Sequence, residues 1–251
     1  MLKRILVSIV VILVITLIIF IGTSKPTARN YNVTVFDAKN NSSLIFDFDA
    51  QLDENYWNII EDAYSSDQEF GYYLPKNIIL HHNLLEINAF AETYKGRNYT
   101  TGLINTKGKF EFQYGRIIIK CKPAESSGLL STIRLLPVDP TSSTTIDIIG
   151  IPGDDTNYAW TGIYSPDQTK TDSHAFPKNN SFAIYEFNWT IDQITLHIDN
   201  QLVYTSNVIP PKEKMYLNIN LSVNQSDATI APDSKFLIDY IFLTKQRTAS
   251  Q

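Results

Sequence analysis

The chain has 251 residues and a net charge of −5, with 43% hydrophobic and 19% charged side chains, the balance of a globular protein and not of a disordered one. Its 21 Lys and Arg are scattered without a basic block. That argues against nucleic acid, because phosphates are bound by clustered cations. A single cysteine, Cys121, excludes an intrachain disulfide, and its setting in Arg116-Ile117-Ile118-Ile119-Lys120-Cys121-Lys122 predicts a buried strand thiol without catalytic character.

The chain begins with Met1-Leu2-Lys3-Arg4 and an uncharged run from Ile5 to Ile21, in which only Ser8 and Thr16 are polar. Such a run sits at the short edge of the roughly 17–25 residues that span a bilayer. It also exceeds a signal-peptide core of about 7–15 residues. Residues 1–24 are expected to be a signal anchor or, with cleavage at Gly22-Thr23-Ser24, a signal peptide. Lys3 and Arg4 favour a cytoplasmic N-terminus. The rest is then expected in the lumen or outside the cell, held to the membrane by the helix or secreted after cleavage. Asn-x-Ser/Thr sequons begin at Asn32, Asn40, Asn41, Asn98, Asn179, Asn188, Asn220 and Asn224, consistent with an exported glycoprotein. Asn188 and Asn220 lie in strand-like runs, where burial would block them.

Residues 25–43 read as a polar tether. Short β-branched and aromatic runs follow, at Leu44–Phe48, Ile78–Leu80, Leu84–Ile87, Gly115–Lys120, Ile146–Ile149, Phe182–Phe187, Ile194–Asp199, Tyr216–Leu221 and Phe236–Leu243. Turn residues separate them at intervals of about ten, the pattern of an all-β sandwich. No helical period appears beyond the N-terminal segment. Residues 44–245 read as one domain and 246–251 as a polar tail.

Five segments carry a family resemblance. They are Leu52-Asp53-Glu54-Asn55-Tyr56-Trp57, the stretch from Gly102 to Arg116 ending Tyr114-Gly115-Arg116, and Leu135-Leu136-Pro137. The others are Phe182 to Thr190 followed by Ile194 to Asp199, and Phe236-Leu237-Ile238-Asp239-Tyr240-Ile241. In this order and spacing the chain resembles glycoside hydrolase family 16, the laminarinase and licheninase family. The resemblance implies a concanavalin A-like jelly-roll β-sandwich and a β-glucan or related polysaccharide as ligand.

It also locates a loss. The family writes its catalytic strand Glu-x-Asp-x-x-Glu, where this chain has Thr145-Ile146-Asp147-Ile148-Ile149-Gly150. Retaining glycoside hydrolysis needs two carboxyl groups about 5–5.5 Å apart. Alternation puts 145 and 147 on one face, and a bulge would return 150 to it. Thr145 stands at the nucleophile position with no base in the motif, and Gly150 stands at the acid/base position with no side chain. Other positions depart in step. Leu130 and Arg134 take the places of two cleft tryptophans, Ala183 that of a histidine, and Asn200 and Asn224 those of glycines.

The residues expected to meet a ligand are Asp147, Tyr158, Trp160, Tyr164, Arg134 and Asn220, with core packing the competing reading for the aromatics and an inherited strand hydrogen bond that for Asp147. Asp154 and Asp155 read as solvated turn acids and Trp189 as core. The resemblance further implies a structural calcium at Asp239; no other cofactor is expected. His81, His82, His174 and His197 lack zinc spacing. Three functions stay open: a non-hydrolysing, lectin-like glucan-binding module; a β-glucan hydrolase or transglycosylase with relocated carboxylates; and a structural surface protein without sugar affinity.

Overall fold

The computed structural model describes residues 43–49, 51–63, 69–165, 169–175 and 181–245, with backbone alone for 169–175. The apolar N-terminal segment, most of the tether and the polar tail lie outside these residues. Among the described residues no helix is long and apolar enough to cross a membrane.

Two antiparallel sheets stack face to face. In spatial order the first holds β16 (Gln201–Thr205), β15 (Ile194–Ile198), β14 (Ala183–Trp189), β9 (Gly115–Lys122), β18 (Lys235–Lys245), β5 (Leu84–Asn88) and β4 (Ile78–His81), with β1 (Ser43–Phe46) also on β18. The second runs β13 (Thr169–Ala175), β12 (Tyr158–Tyr164), β11 (Thr145–Pro152), β10 (Leu129–Pro137), β17 (Met215–Val223), β7 (Leu103–Asn105) and β2 (Asn58–Ile59), with β8 (Glu111–Phe112) on β17. A parallel pair, β3 (Gly71–Tyr73) and β6 (Tyr99–Thr101), stands apart from both. The one helical turn among these residues is the 3-10 turn Pro75–Asn77. This is the expected all-β sandwich.

Alternation explains the core. Ala183, Tyr185, Phe187 and Trp189 point inward along β14, as do Ile194, Leu196 and Ile198 along β15. From the second sheet Leu129, Ile133 and Leu135 meet them, joined by Leu217, Ile219 and Leu221. Burying one such side chain stabilises the fold by about 1.5–3 kcal/mol relative to leaving it exposed. Trp189 is core, as expected: its ring packs edge-on against Phe112 and Tyr114 at 5.9 and 5.4 Å. Trp57 is equally enclosed, with Phe46 edge-on at 5.2 Å. Cys121 is fully buried, and burial pushes its thiol far above the ordinary range.

One substitution at a turn is settled by backbone geometry. Asp199 and Asn200, between β15 and β16, have φ of 48° and 69°. A type I′ two-residue hairpin turn has positive φ at both central positions, and Asn and Asp are the residues besides Gly that adopt it most readily. The adjacent histidines resolve likewise, since His81 ends β4 while His82 and Asn83, at φ 51° and 60°, form the turn into β5.

Candidate functional site

The site lies on the face of the second sheet turned away from the core. Strand β11 pairs with β10 through Ile133–Ile149 and then Arg134–Asp147, and with β12 through Asp147–Gly162 and then Gly150–Trp160. The register slips at Ile148-Ile149 on both sides, which is a β-bulge. Ile146, Ile148, Ile149 and Ile151 can therefore all enter the core. Asp147 and Gly150 are left together on the outer face, as the sequence expectation required.

What surrounds them is new. Trp160 lies opposite Gly150 in the ladder, and its indole covers the glycine. A Cβ added at Gly150 would overlap Cε2, Nε1 and Cζ2 of that ring. The same indole Nε1–H donates to Asp147 Oδ2 at 3.1 Å. Trp160 thus fills the volume a side chain at 150 would occupy and uses one oxygen of the remaining carboxylate. The other oxygen, Oδ1, lies 2.8 Å from Nε of Arg134. That N–H is not aimed at the carboxylate, so the contact is a charge pair and not a hydrogen bond. Asp147 is almost fully enclosed, whereas Arg134 keeps 35% of its side chain exposed. Burial pushes the Asp147 carboxyl above the usual aspartate range, and the Arg134 charge and Trp160 hydrogen bond offset part of that rise.

Along β12 the residues 158, 160, 162 and 164 share this face, so Tyr158, Trp160 and Tyr164 form a row interrupted by Gly162. Tyr158 is half exposed at the end of the strand, and the other two are partly covered. Thr145 pairs with Tyr164 at the far end. On the other side of β10, β17 presents Asn218, Asn220 and Ser222. Asn220 is buried and hydrogen-bonded throughout. It accepts from Thr132 Oγ1 at 2.6 Å and Asn218 Nδ2 at 3.3 Å, and its own amide donates to Tyr73 Oη at 3.1 Å and Ser222 Oγ at 2.6 Å.

Sequence reasoning missed Glu69, which completes this network. Its Oε2 accepts from Tyr73 Oη at 2.7 Å, and Oε1 accepts the backbone N–H groups of Gly71 and Val223 at 2.8 and 3.0 Å. Desolvation raises its carboxyl above the ordinary range despite those donors. Nothing in the local sequence separates Glu69 from the solvated Glu61. Only the fold, by laying β17 against this segment, encloses it.

Among the described residues the two turn acids that follow β11 are engaged elsewhere than at Asp147. Asp154 accepts from the Gly128 amide at 3.0 Å and Asp155 from the Asn157 amide at 3.0 Å, both as turn supports. At Asp239 the Lys120 ammonium lies 2.6 Å from Oδ2. A fixed cation of the chain already neutralises that carboxylate, and among the described residues no three His, Cys, Asp or Glu side chains gather to hold a metal. The resemblance implied a calcium held by Asp239 together with backbone oxygens; calcium takes six to eight oxygens, of which Asp239 would supply at most two.

A two-sheet antiparallel sandwich with a bulged strand on its open face is the fold that the family 16 resemblance implied, although Thr145 and Gly150 stand where the family writes glutamates. The profile of the family "Glycosyl hydrolases family 16" matches residues 62–241, and the chain belongs to that family. It is 25% identical over 181 residues to a beta-glucanase of Rhodothermus marinus, covering 63% of this chain and 62% of that protein. Against the endo-1,3-1,4-beta-glycanase ExsH of Rhizobium meliloti it is 25% identical over 158 residues, with 58% and 33% covered. The chain thus spans less than two-thirds of the length of either relative. Among solved structures it superimposes on the laminarinase catalytic domain of Thermotoga maritima with a TM-score of 0.71 at 21% identity, covering 82% and 98% of the two chains. A Glu-to-Ser mutant of SCLam, a non-specific endo-beta-1,3(4)-glucanase co-crystallized with 1,3-beta-D-cellotriosyl-glucose, gives a TM-score of 0.74 at 18% identity, with 83% and 96% covered.

Proposed function

We propose that this domain holds a β-glucan or related polysaccharide along the open face of the second sheet without cleaving it. The observation that carries the reading is the Trp160 indole seated over Gly150 and bonded to Asp147. Hydrolysis with retention needs a nucleophile and a proton donor facing one glycosidic bond. Among the described residues the carboxyl group of the degenerate motif that remains, Asp147, is enclosed and engaged on both oxygens. The second buried carboxyl on this side of the sheet, Glu69, is saturated by backbone amides and Tyr73.

Retention of sugar is supported by the row Tyr158, Trp160 and Tyr164, since aromatic faces stack on the apolar faces of pyranose rings. It is supported as well by the SCLam relative, whose Glu-to-Ser mutant presents a 1,3-beta-D-cellobiosyl-glucose at its active site. In that protein a sugar is held at the active site with one glutamate replaced. The apolar segment Ile5–Ile21 and the sequons support a domain that works outside the cytosol, tethered by residues 1–24 or released from them.

The test is retention of the domain on insoluble laminarin and lichenan, with reducing ends measured in the same tubes. The expected outcome is retention without release, weakened about 2- to 13-fold by Trp160→Ala, as loss of a ring contact of about 0.5–1.5 kcal/mol implies. Release of reducing ends abolished by Asp147→Asn would establish a hydrolase instead. Absence of both release and retention would leave a structural module.

A further inference from the structure

The sequons are the motif that this reading leaves unused, and the structure separates them. We propose that Asn98 and Asn224 carry N-linked glycans and that Asn188 and Asn220 do not. The inference rests on the exported location argued above. The donor would be a lipid-pyrophosphate-linked oligosaccharide. In the transfer the bond from sugar C1 to the pyrophosphate oxygen breaks and the C1–Nδ2 bond forms. The amide gives up one proton, and the lipid pyrophosphate leaves.

The atom that must take the sugar is Nδ2, and its surroundings differ among the four described sequons. At Asn220 it donates to Tyr73 Oη and Ser222 Oγ, inside a side chain only 4% exposed. A glycan there would break the network that ends on Glu69. At Asn188, in the middle of β14, it donates to Glu186 Oε1 at 3.1 Å, and Glu186 in turn pairs with Arg116 at 2.8 Å. Both residues flanking Asn188 are held in the ladder to β9. Asn98 and Asn224, by contrast, are exposed and lie outside strands, and among the described residues the side-chain amide of neither has a hydrogen-bond partner.

Their settings complete the argument. Asn98 lies in the loop that leads into β6, next to the turn Tyr94–Arg97. Asn224 follows β17 directly, and its backbone N–H donates to Gly128 O at 2.9 Å, carrying the ladder one step beyond the strand. Alternation then places its side chain on the face of Asn220 and Ser222. The hydroxyl of its sequon, on Ser226, is exposed. A glycan on Asn224 stands at the end of the proposed binding face, beside Leu130, which pairs with Ser222.

The experiment is peptide mass spectrometry of the full chain from its own cells, deglycosylated by an amidase in heavy-oxygen water so that each occupied Asn becomes a labelled Asp. Label at Asn98 and Asn224, with Asn188 and Asn220 unlabelled, is the expected result. Label at Asn188 or Asn220 overturns the assignment. So does label confined to Asn32, Asn40, Asn41 or Asn179, although export then stands. No label anywhere, together with digestion of the domain by protease added to intact microsomes, overturns both the sites and the export on which they rest.

Discussion

Two buried carboxyl groups flank the face of the second sheet, and the company they keep differs. Glu69 is held by two backbone N–H groups and a tyrosine hydroxyl, donors fixed by the fold itself. Asp147 is held by the indole of Trp160 and the charge of Arg134, both side chains that can turn aside. Burial pushes both acids above their ordinary range. The contrast teaches that equal burial does not mean equal role. Glu69 is part of the architecture, because a ligand cannot displace its donors without unmaking β17. Asp147 is the group on which a ligand hydroxyl could replace an existing partner.

The largest effect that would break this contrast is the removal of Glu69. Replacing it with Ala leaves the amides of Gly71 and Val223 and the Tyr73 hydroxyl without their acceptor. An unsatisfied buried polar group costs about 1–3 kcal/mol, so Glu69→Ala should lower unfolding stability by about 3 kcal/mol or more. Asp147→Ala leaves no backbone donor stranded and should cost clearly less. Urea denaturation of the two variants compares them directly. Equal losses would show that Asp147 is as architectural as Glu69.

A middle-sized effect is expected from restoring the family's glutamates. The side chain of Gly150→Glu must enter volume that the Trp160 ring already fills, and overpacking of this kind costs typically about 1–3 kcal/mol. Thr145→Glu with Gly150→Glu should therefore destabilise the domain and release no reducing ends from laminarin. Adding Trp160→Ala should recover the stability, because it removes the ring that the new side chain meets. If the double variant is already as stable as the parent, Trp160 is not the obstacle that the geometry makes it.

How much of this was legible in the sequence depends on the range of the interaction. The strict alternation of Phe182–Phe187 and Ile194–Asp199 announced β14 and β15, because one face of each is core and the other is not. Strand β10 was harder to read, since Leu130 and Leu136 put apolar residues on its outer face as well and blur the period of two. The bulge at Ile148-Ile149 followed from the spacing of the degenerate motif. Trp160 over Gly150 could not be read, because ten residues separate them in sequence and only the register of β11 on β12 brings them together. Glu69 was invisible for the same reason, its partner Val223 lying 154 residues away. The pairing of Asp239 with Lys120 was hidden likewise, since Lys120 is a neighbour across the β9–β18 ladder that no local pattern reveals.

The smallest effect is a titration, and its sign discriminates. Desolvation is the dominant influence on Asp147 and raises its folded value above the ordinary 3.8. A carboxyl raised on folding contributes its stability below the unfolded value and loses it as pH climbs through the folded one. Asp147→Asn removes that titration and leaves Glu69 in place. The stability of the parent minus that of the variant should then fall as pH rises upward from about 3.8, and level off once the folded carboxyl has ionised. Urea midpoints taken across the acid range would show it. A difference that grows with pH would mean that attraction to Arg134 outweighs burial. Asp147 would then belong to a locked ion pair, as architectural as Glu69, and would no longer be an acid that a ligand hydroxyl could engage.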